Sequence, residues 1–110
     1  MLNGVLLEGA AAGTDTEGGA IELYSCREAS VLGCHVFEPK HRGIFLADCR
    51  NARVAECTVM NRGEAATMLA AIEVTGKSSN CLIRSNLVGK GGRGDIIAPG
   101  AVLEGNRSVT

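Results

Sequence analysis

The chain has 110 residues, 45% hydrophobic but only 3% aromatic, with 15 glycines, two prolines and a net charge of −1. This length suits one domain over residues 1–110, with a core of Ile, Leu, Val, Ala and Cys. The charge balance argues against nucleic acid as a partner, and no apolar run reaches the roughly 18 residues that cross a bilayer.

In chain order, Met1 to Gly13 shows neither the basic start nor the apolar length of a secretory signal. With an odd count of five cysteines, this points to a cytoplasmic setting for the chain as it stands, and to export if it is a piece of a longer protein. The run Gly4-Val5-Leu6-Leu7-Glu8-Gly9 returns near the other end as Gly100-Ala101-Val102-Leu103-Glu104-Gly105. Ala20-Ile21-Glu22-Leu23 opens the first clear strand, with Ile21 and Leu23 directed inward and Glu22 and Tyr24 outward. Its echoes are Gly43-Ile44-Phe45-Leu46, Ala71-Ile72-Glu73-Val74 and, more faintly, Asp95-Ile96-Ile97-Ala98. A second apolar strand follows each time, over Val31–Val36, Val54–Val59 and Leu82–Leu87. Its leading residues, Leu6, Val31, Val54, Leu82 and Val102, are separated by 25, 23, 28 and 20 residues. The strands stay constant while the corners change length. The surplus is assigned to Glu64–Ala71, about two helical turns, and the deficit to a cut corner at Pro99-Gly100.

A period of about 24 residues with two short strands per unit predicts an all-β solenoid, a parallel β-helix of about four coils. Leucine-rich repeats would need a denser leucine ladder, and helical repeats need long amphipathic segments. Strings such as Ser79-Asn80-Cys81-Leu82-Ile83-Arg84-Ser85-Asn86-Leu87-Val88 resemble the right-handed β-helix repeats of the pectate-lyase-like superfamily, which include carbohydrate-binding proteins and sugar hydrolases. The resemblance runs over roughly residues 4 to 107 and implies fold far more than activity, since that superfamily holds lyases, hydrolases, epimerases, adhesins and non-catalytic binders.

Stacking places residues one period apart on neighbouring coils. Cys26 and Cys49 are 23 apart, as are Cys34 and Cys57, which predicts two columns of reduced thiols with Cys81 outside them. Disulfides would need local distortion, and the spacing suits no zinc site. His35, Thr58, Asn86 and Asn106 are aligned at one corner, where family β-helices carry asparagine ladders. Glu56, Arg84 and Glu104 are aligned as a charge-alternating trio, and Arg27 lies one period from Arg50 with Glu28 beside it.

The candidate binding residues are Lys40, His41, Arg42, Arg62, Lys90 and Arg93, which the repeat gathers on one loop edge, with Arg62 and Lys90 at matching positions. A row of cations suits an acidic glycan, because charge-assisted bonds to carboxylates are strong. Catalysis has thinner support. Phe37-Glu38-Pro39-Lys40-His41 resembles the acidic-Pro-His motif of alginate epimerases, but Lys40 interrupts it and no catalytic role carries over. Asp48 is stacked between Ser25 and Gly76, so no carboxylate pair for glycoside hydrolysis emerges. No converging acids suggest a metal, and nothing implies a cofactor. Gly89-Lys90-Gly91-Gly92-Arg93-Gly94-Asp95 reads as a flexible corner; it lacks a Walker ending, and its Arg-Gly-Asp tripeptide occurs commonly by chance.

The expected activity is therefore a non-catalytic β-helix module, with acidic polysaccharide held along the basic edge. The alternatives are a purely structural self-assembling module and a degenerate polysaccharide lyase or hydrolase. Open solenoid ends or sides make a homo-oligomer the expected partner state.

Overall fold

Short alternating runs of apolar and polar residues become strands, and left-handed residues turn the chain at the corners between them. The computed structural model describes residues 1–62 and 68–109. The first coil carries β1 (Leu2–Asn3), β2 (Leu6–Glu8) and β3 (Ile21–Tyr24). The second carries β4 (Ser30–Leu32), β5 (His35–Phe37) and β6 (Arg42–Ala47), and the third β7 (Arg53–Ala55), β8 (Thr58–Met60) and β9 (Ala70–Thr75). The fourth holds β10 (Leu82–Arg84), β11 (Leu87–Val88) and β12 (Ile96–Ile97); β13 (Val102–Glu104) and β14 (Arg107–Ser108) begin a fifth.

Like strands of successive coils pair in parallel, giving three sheets among the described residues. We name them sheet A (β1-β4-β7-β10-β13), sheet B (β2-β5-β8-β11-β14) and sheet C (β3-β6-β9-β12). This is an all-β, right-handed parallel β-helix. Ile21, Ile44, Ile72 and Ile96 stack in register, as do Leu23, Leu46 and Val74. Val31, Val54 and Ile83 form the sheet A column, and Val36, Val59 and Val88 that of sheet B. Ile44, Ile72, Val54, Val59 and Ile83 are fully buried. Burying each such side chain contributes about 1.5–3 kcal/mol, the main force holding the rungs together.

Each coil therefore has three strands rather than two. What reads as one second strand bends after three residues, at a left-handed residue present in every coil: Gly4, Gly33, Glu56, Ser85 and Gly105, with φ between 55° and 68°. The register consequently differs from the sequence alignment. Leu2, not Leu6, pairs with Val31; Leu6 pairs with His35. Ile83 stacks on Val54, while Leu82 faces Arg53. The one-residue offset of β10 arises at the corner after sheet C, where Asp48 to Arg50 takes two steps and Gly76 to Ser79 takes three. Ser78 accommodates the extra residue, its Oγ donating to Thr75 O (2.8 Å) and accepting from Cys49 N (3.0 Å).

Two other alignments shift with it. Asn86 and Asn106 stand in the column of Cys34 and Cys57, while His35 and Thr58 lie one position on, beside Leu87. Arg84 stacks on Ala55 and Glu104, and Glu56 occupies the left-handed corner instead. Half of the expected helical segment Glu64–Ala71, residues 64–67, lies outside the described residues; of the rest, Ala70 and Ala71 are strand. The cut corner is a tight turn closed by Ala101 N donating to Ala98 O (3.1 Å).

The five cysteines are free thiols. Cys57 Sγ donates to Ala55 O (3.3 Å), and Cys34 Sγ to Leu32 O (3.5 Å). Burial raises the Cys49 and Cys57 thiols, which keeps them neutral donors. Higher in the same column Asn86 takes over, accepting from Cys57 N (2.9 Å) and donating to Val54 O (3.1 Å). Asn106 repeats the device, donating to Ile83 O (2.9 Å).

Candidate functional site

The loop edge is shaped by the long connection from β2 to β3. Residues 13–18 lie as a strap against the outer face of sheet C. The strap closes on itself where Gly13 and Gly18 meet: a Cβ on Gly18 would lie 2.8 Å from Gly13 Cα, and its φ of 87° suits glycine. Glu22 Oε1 accepts from Gly19 N (3.0 Å) and fixes the exit into β3.

Beneath this strap sits Arg42, only 1% exposed, which corrects its expected place on the surface. Strict alternation with Ile44 and Leu46 would turn Arg42 inward, but it breaks at Gly43, where a Cβ would lie 2.2 Å from Val59 Cγ1 in the core; Arg42 therefore faces outward and the strap covers it. Its guanidinium donates to Thr14 O (2.8 Å), Asp15 O (2.9 Å) and Gly18 O (3.3 Å), while Nε meets Glu73 Oε1 at 2.6 Å. It also lies 5.4 Å from the centre of the Phe45 ring. Its guanidinium donors are thus engaged within the chain.

The other expected residues divide. Arg62 is exposed, donates to Glu38 Oε2 (3.0 Å) and stacks 4.1 Å over the Phe37 ring. The Glu38 hydrogen bond raises its pKa further, so it is a fixed cation already matched by an anion. Arg93 donates to Asp15 O from the fourth coil and so helps hold the strap. His41 accepts from Leu69 N (2.6 Å) through its carbonyl, and its Nδ1 is buried without a hydrogen-bond partner among the described residues. Lys40 and Lys90 are exposed and make no ion pair among the described residues. Lys90 aligns with Asn61 rather than Arg62, because Val88 pairs with Val59.

Lys90 lines an open pocket of about 260 Å³ with Met68, Gly91 and Gly92. The glycine-rich corner is pinned: Gly92 N donates to Met68 O (2.9 Å), Arg93 N to Leu69 O (2.9 Å) and Gly91 N to Asp95 Oδ1 (3.0 Å). Asp95 is thus tied to its own backbone. Asp48 is likewise engaged, accepting from Lys77 N (2.7 Å), and stands between Ser25 and Gly76 as the repeat predicts. Among the described residues, no three His, Cys, Asp or Glu side chains converge on a metal-sized site.

A second surface lies at the opposite end of sheet C, where the chain turns into sheet A. Ser25 and Glu28 bracket Arg27 with left-handed backbone, and Asp48 and Asn51 bracket Arg50 in the same way. The two arginines are bridge partners on adjacent coils, and both are exposed. With Glu28 and Asn51 they line a cleft of about 390 Å³. Their spacing of 23 residues makes the stack legible from sequence; the cleft depends on the two left-handed turns around each arginine, which Ser, Asp, Glu and Asn do not announce.

A family model described as right handed beta helix region matches residues 6–109 of the chain. No curated protein and no solved structure matches it.

Proposed function

Because the chain belongs to the right-handed β-helix family, we propose that it is a non-catalytic β-helix module that binds an acidic polysaccharide or oligosaccharide at its loop edge. The observation carrying this reading is the pocket of Met68, Lys90, Gly91 and Gly92. Glycines let a sugar ring lie close to the backbone, and the exposed Lys90 ammonium offers a carboxylate a charge-assisted bond. Lys40, also exposed, adds positive charge two coils away. The absence of catalysis is supported by the carboxylates around sheet C: Glu22, Glu38, Asp48, Glu73 and Asp95 are all engaged by backbone N–H or guanidinium groups. A glycosidase needs two carboxyls free to face one bond.

The test is binding to an array of acidic and neutral oligosaccharides by the native chain, Lys90→Glu and Gly92→Leu. The Gly92 change fills the pocket without backbone strain, since a Cβ there meets only Met68 O at 3.7 Å. Acidic ligands are expected to bind, and both variants to weaken binding about tenfold, the equivalent of one charge-assisted contact. No acidic ligand bound, or binding unchanged in both variants, overturns the reading.

A second reading, assembly with copies of itself, is favoured by Leu103. It continues the sheet A column of Val54 and Ile83, yet is 49% exposed, and the outer edges of β12, β13 and β14 are unpaired among the described residues. Another copy's β1, β2 and β3 would extend the same three sheets. Light scattering on the native chain and on Leu103→Lys tests this: concentration-dependent association lost in the variant supports it, and a stable native monomer overturns it.

A further inference from the structure

Arg27 and Arg50 stand directly over one another in a parallel bridge, about 4.8 Å apart along the helix axis. Like charges in that relation repel. Among the described residues neither makes an ion pair, although Glu28 lines the same cleft. The backbone beneath them is well tied: Arg50 N donates to Cys26 O (2.9 Å), Glu28 N to Arg50 O (2.9 Å) and Asn51 N to Ser79 O (3.1 Å). The two guanidiniums therefore project from a fixed frame rather than from a loose loop.

Asn51 adds a donor of known sense. Its Oδ1 accepts from Asn80 Nδ2 at 2.7 Å, so its own amide N–H groups are left to donate. Two planar guanidinium forks and an amide N–H form the donor set that an oxyanion requires. An anion between the arginines would also convert their mutual repulsion into shared attraction. Glu28 then limits what kind of anion enters. A bare polyanion such as a phosphodiester backbone meets its carboxylate unfavourably, whereas a ligand that also carries hydroxyl groups can donate to it.

We infer that Arg27, Arg50 and Asn51 form a second anion-binding site, at the corner between sheets C and A, which takes the carboxylate or sulfate of an acidic sugar while Glu28 accepts from the sugar's hydroxyls. The cleft volume lies in the range of small-ligand sites. This site stands independently of the loop-edge pocket and shares no residue with it.

The probes are a tri-glucuronate, the matching neutral tri-glucoside and inorganic sulfate, titrated into isotope-labelled protein and followed by NMR. The tri-glucuronate is expected to produce saturable shifts at Arg27, Arg50 and Asn51 in both the native chain and Lys90→Glu, and the neutral sugar none. Arg27→Gln and Arg50→Gln should each weaken that binding about tenfold with the spectrum otherwise retained. Glu28→Ala should leave sulfate binding equal or tighter and weaken the tri-glucuronate. Absence of saturable shifts at the three residues overturns the site, as does binding unchanged by both arginine variants. Sulfate and tri-glucuronate responding alike to Glu28→Ala overturns the sugar assignment. Because Lys90→Glu is read separately, failure of the loop-edge reading and failure of this one are distinguishable.

Discussion

Arg42 and the pair Arg27 and Arg50 all project outward from the β-helix, yet their fates are opposite. Arg42 is buried beneath the strap and satisfied by three carbonyls and Glu73, while the corner arginines are exposed and unpaired among the described residues. The difference lies in neighbouring loop length rather than in the strands. A long connection in the first coil folds over sheet C and takes the place of solvent; the corner into sheet A turns within a few residues and leaves its cations open. A charged side chain on a solenoid thus becomes a structural staple or a contact point according to what the adjacent coil lays across it.

The largest test of this contrast is Arg42→Ala. It removes one partner of a buried ion pair and strands the strap carbonyls, so a loss of about 3–5 kcal/mol in urea unfolding is expected. Arg42→Lys should recover only part, because one ammonium cannot meet four acceptors arranged around a planar fork. A change below about 1 kcal/mol would mean that the strap is held by something else. Gly18→Ala sharpens the same point: its Cβ would lie 2.3 Å from Glu22 Oε1 and 2.8 Å from Gly13 Cα. That crowding should cost about 1–3 kcal/mol and increase proteolysis within residues 13–18.

Alkaline titration probes the buried side by another route. The Cys49 and Cys57 thiols lie above their ordinary value of 9.0 in the folded chain, chiefly through burial. The folded state therefore retains these protons longer than the unfolded chain does. Their contribution is fully present below the unfolded value and is lost as pH rises through the folded one. Melting curves should decline above about pH 9, and less steeply in Cys57→Ala relative to its own neutral-pH stability. The smallest effect belongs to the open side. Arg27→Gln should raise stability by about 0.2–1 kcal/mol by removing a stacked like charge. A measurable loss instead would show that Arg27 is a structural cation like Arg42.

Much of the fold was legible because identical positions recur at a nearly fixed interval. Ile21, Ile44 and Ile72 stack as their spacing requires, Cys26 lies beside Cys49, and Asp48 sits between Ser25 and Gly76. Sheet number and register were less legible. Glycine marks the turn between sheets A and B at Gly4, Gly33 and Gly105, but Glu56 and Ser85 adopt the same left-handed backbone without announcing it. The single added residue at Ser78 then shifted β10 and β11 by one against the coil before them, which separated Lys90 from Arg62 and moved Asn86 into the cysteine column.

The sequence by itself determined a parallel coil with an aliphatic interior and stacked thiols, because those features rest on periodicity, and periodicity is a property of order along the chain. Its right hand was implied by the resemblance of its repeats to a known family. Only the tertiary structure decided which cations meet solvent. That outcome depends on where residues 13–18 come to rest and on how each corner turns, and both are set by contacts between coils rather than by any spacing within them.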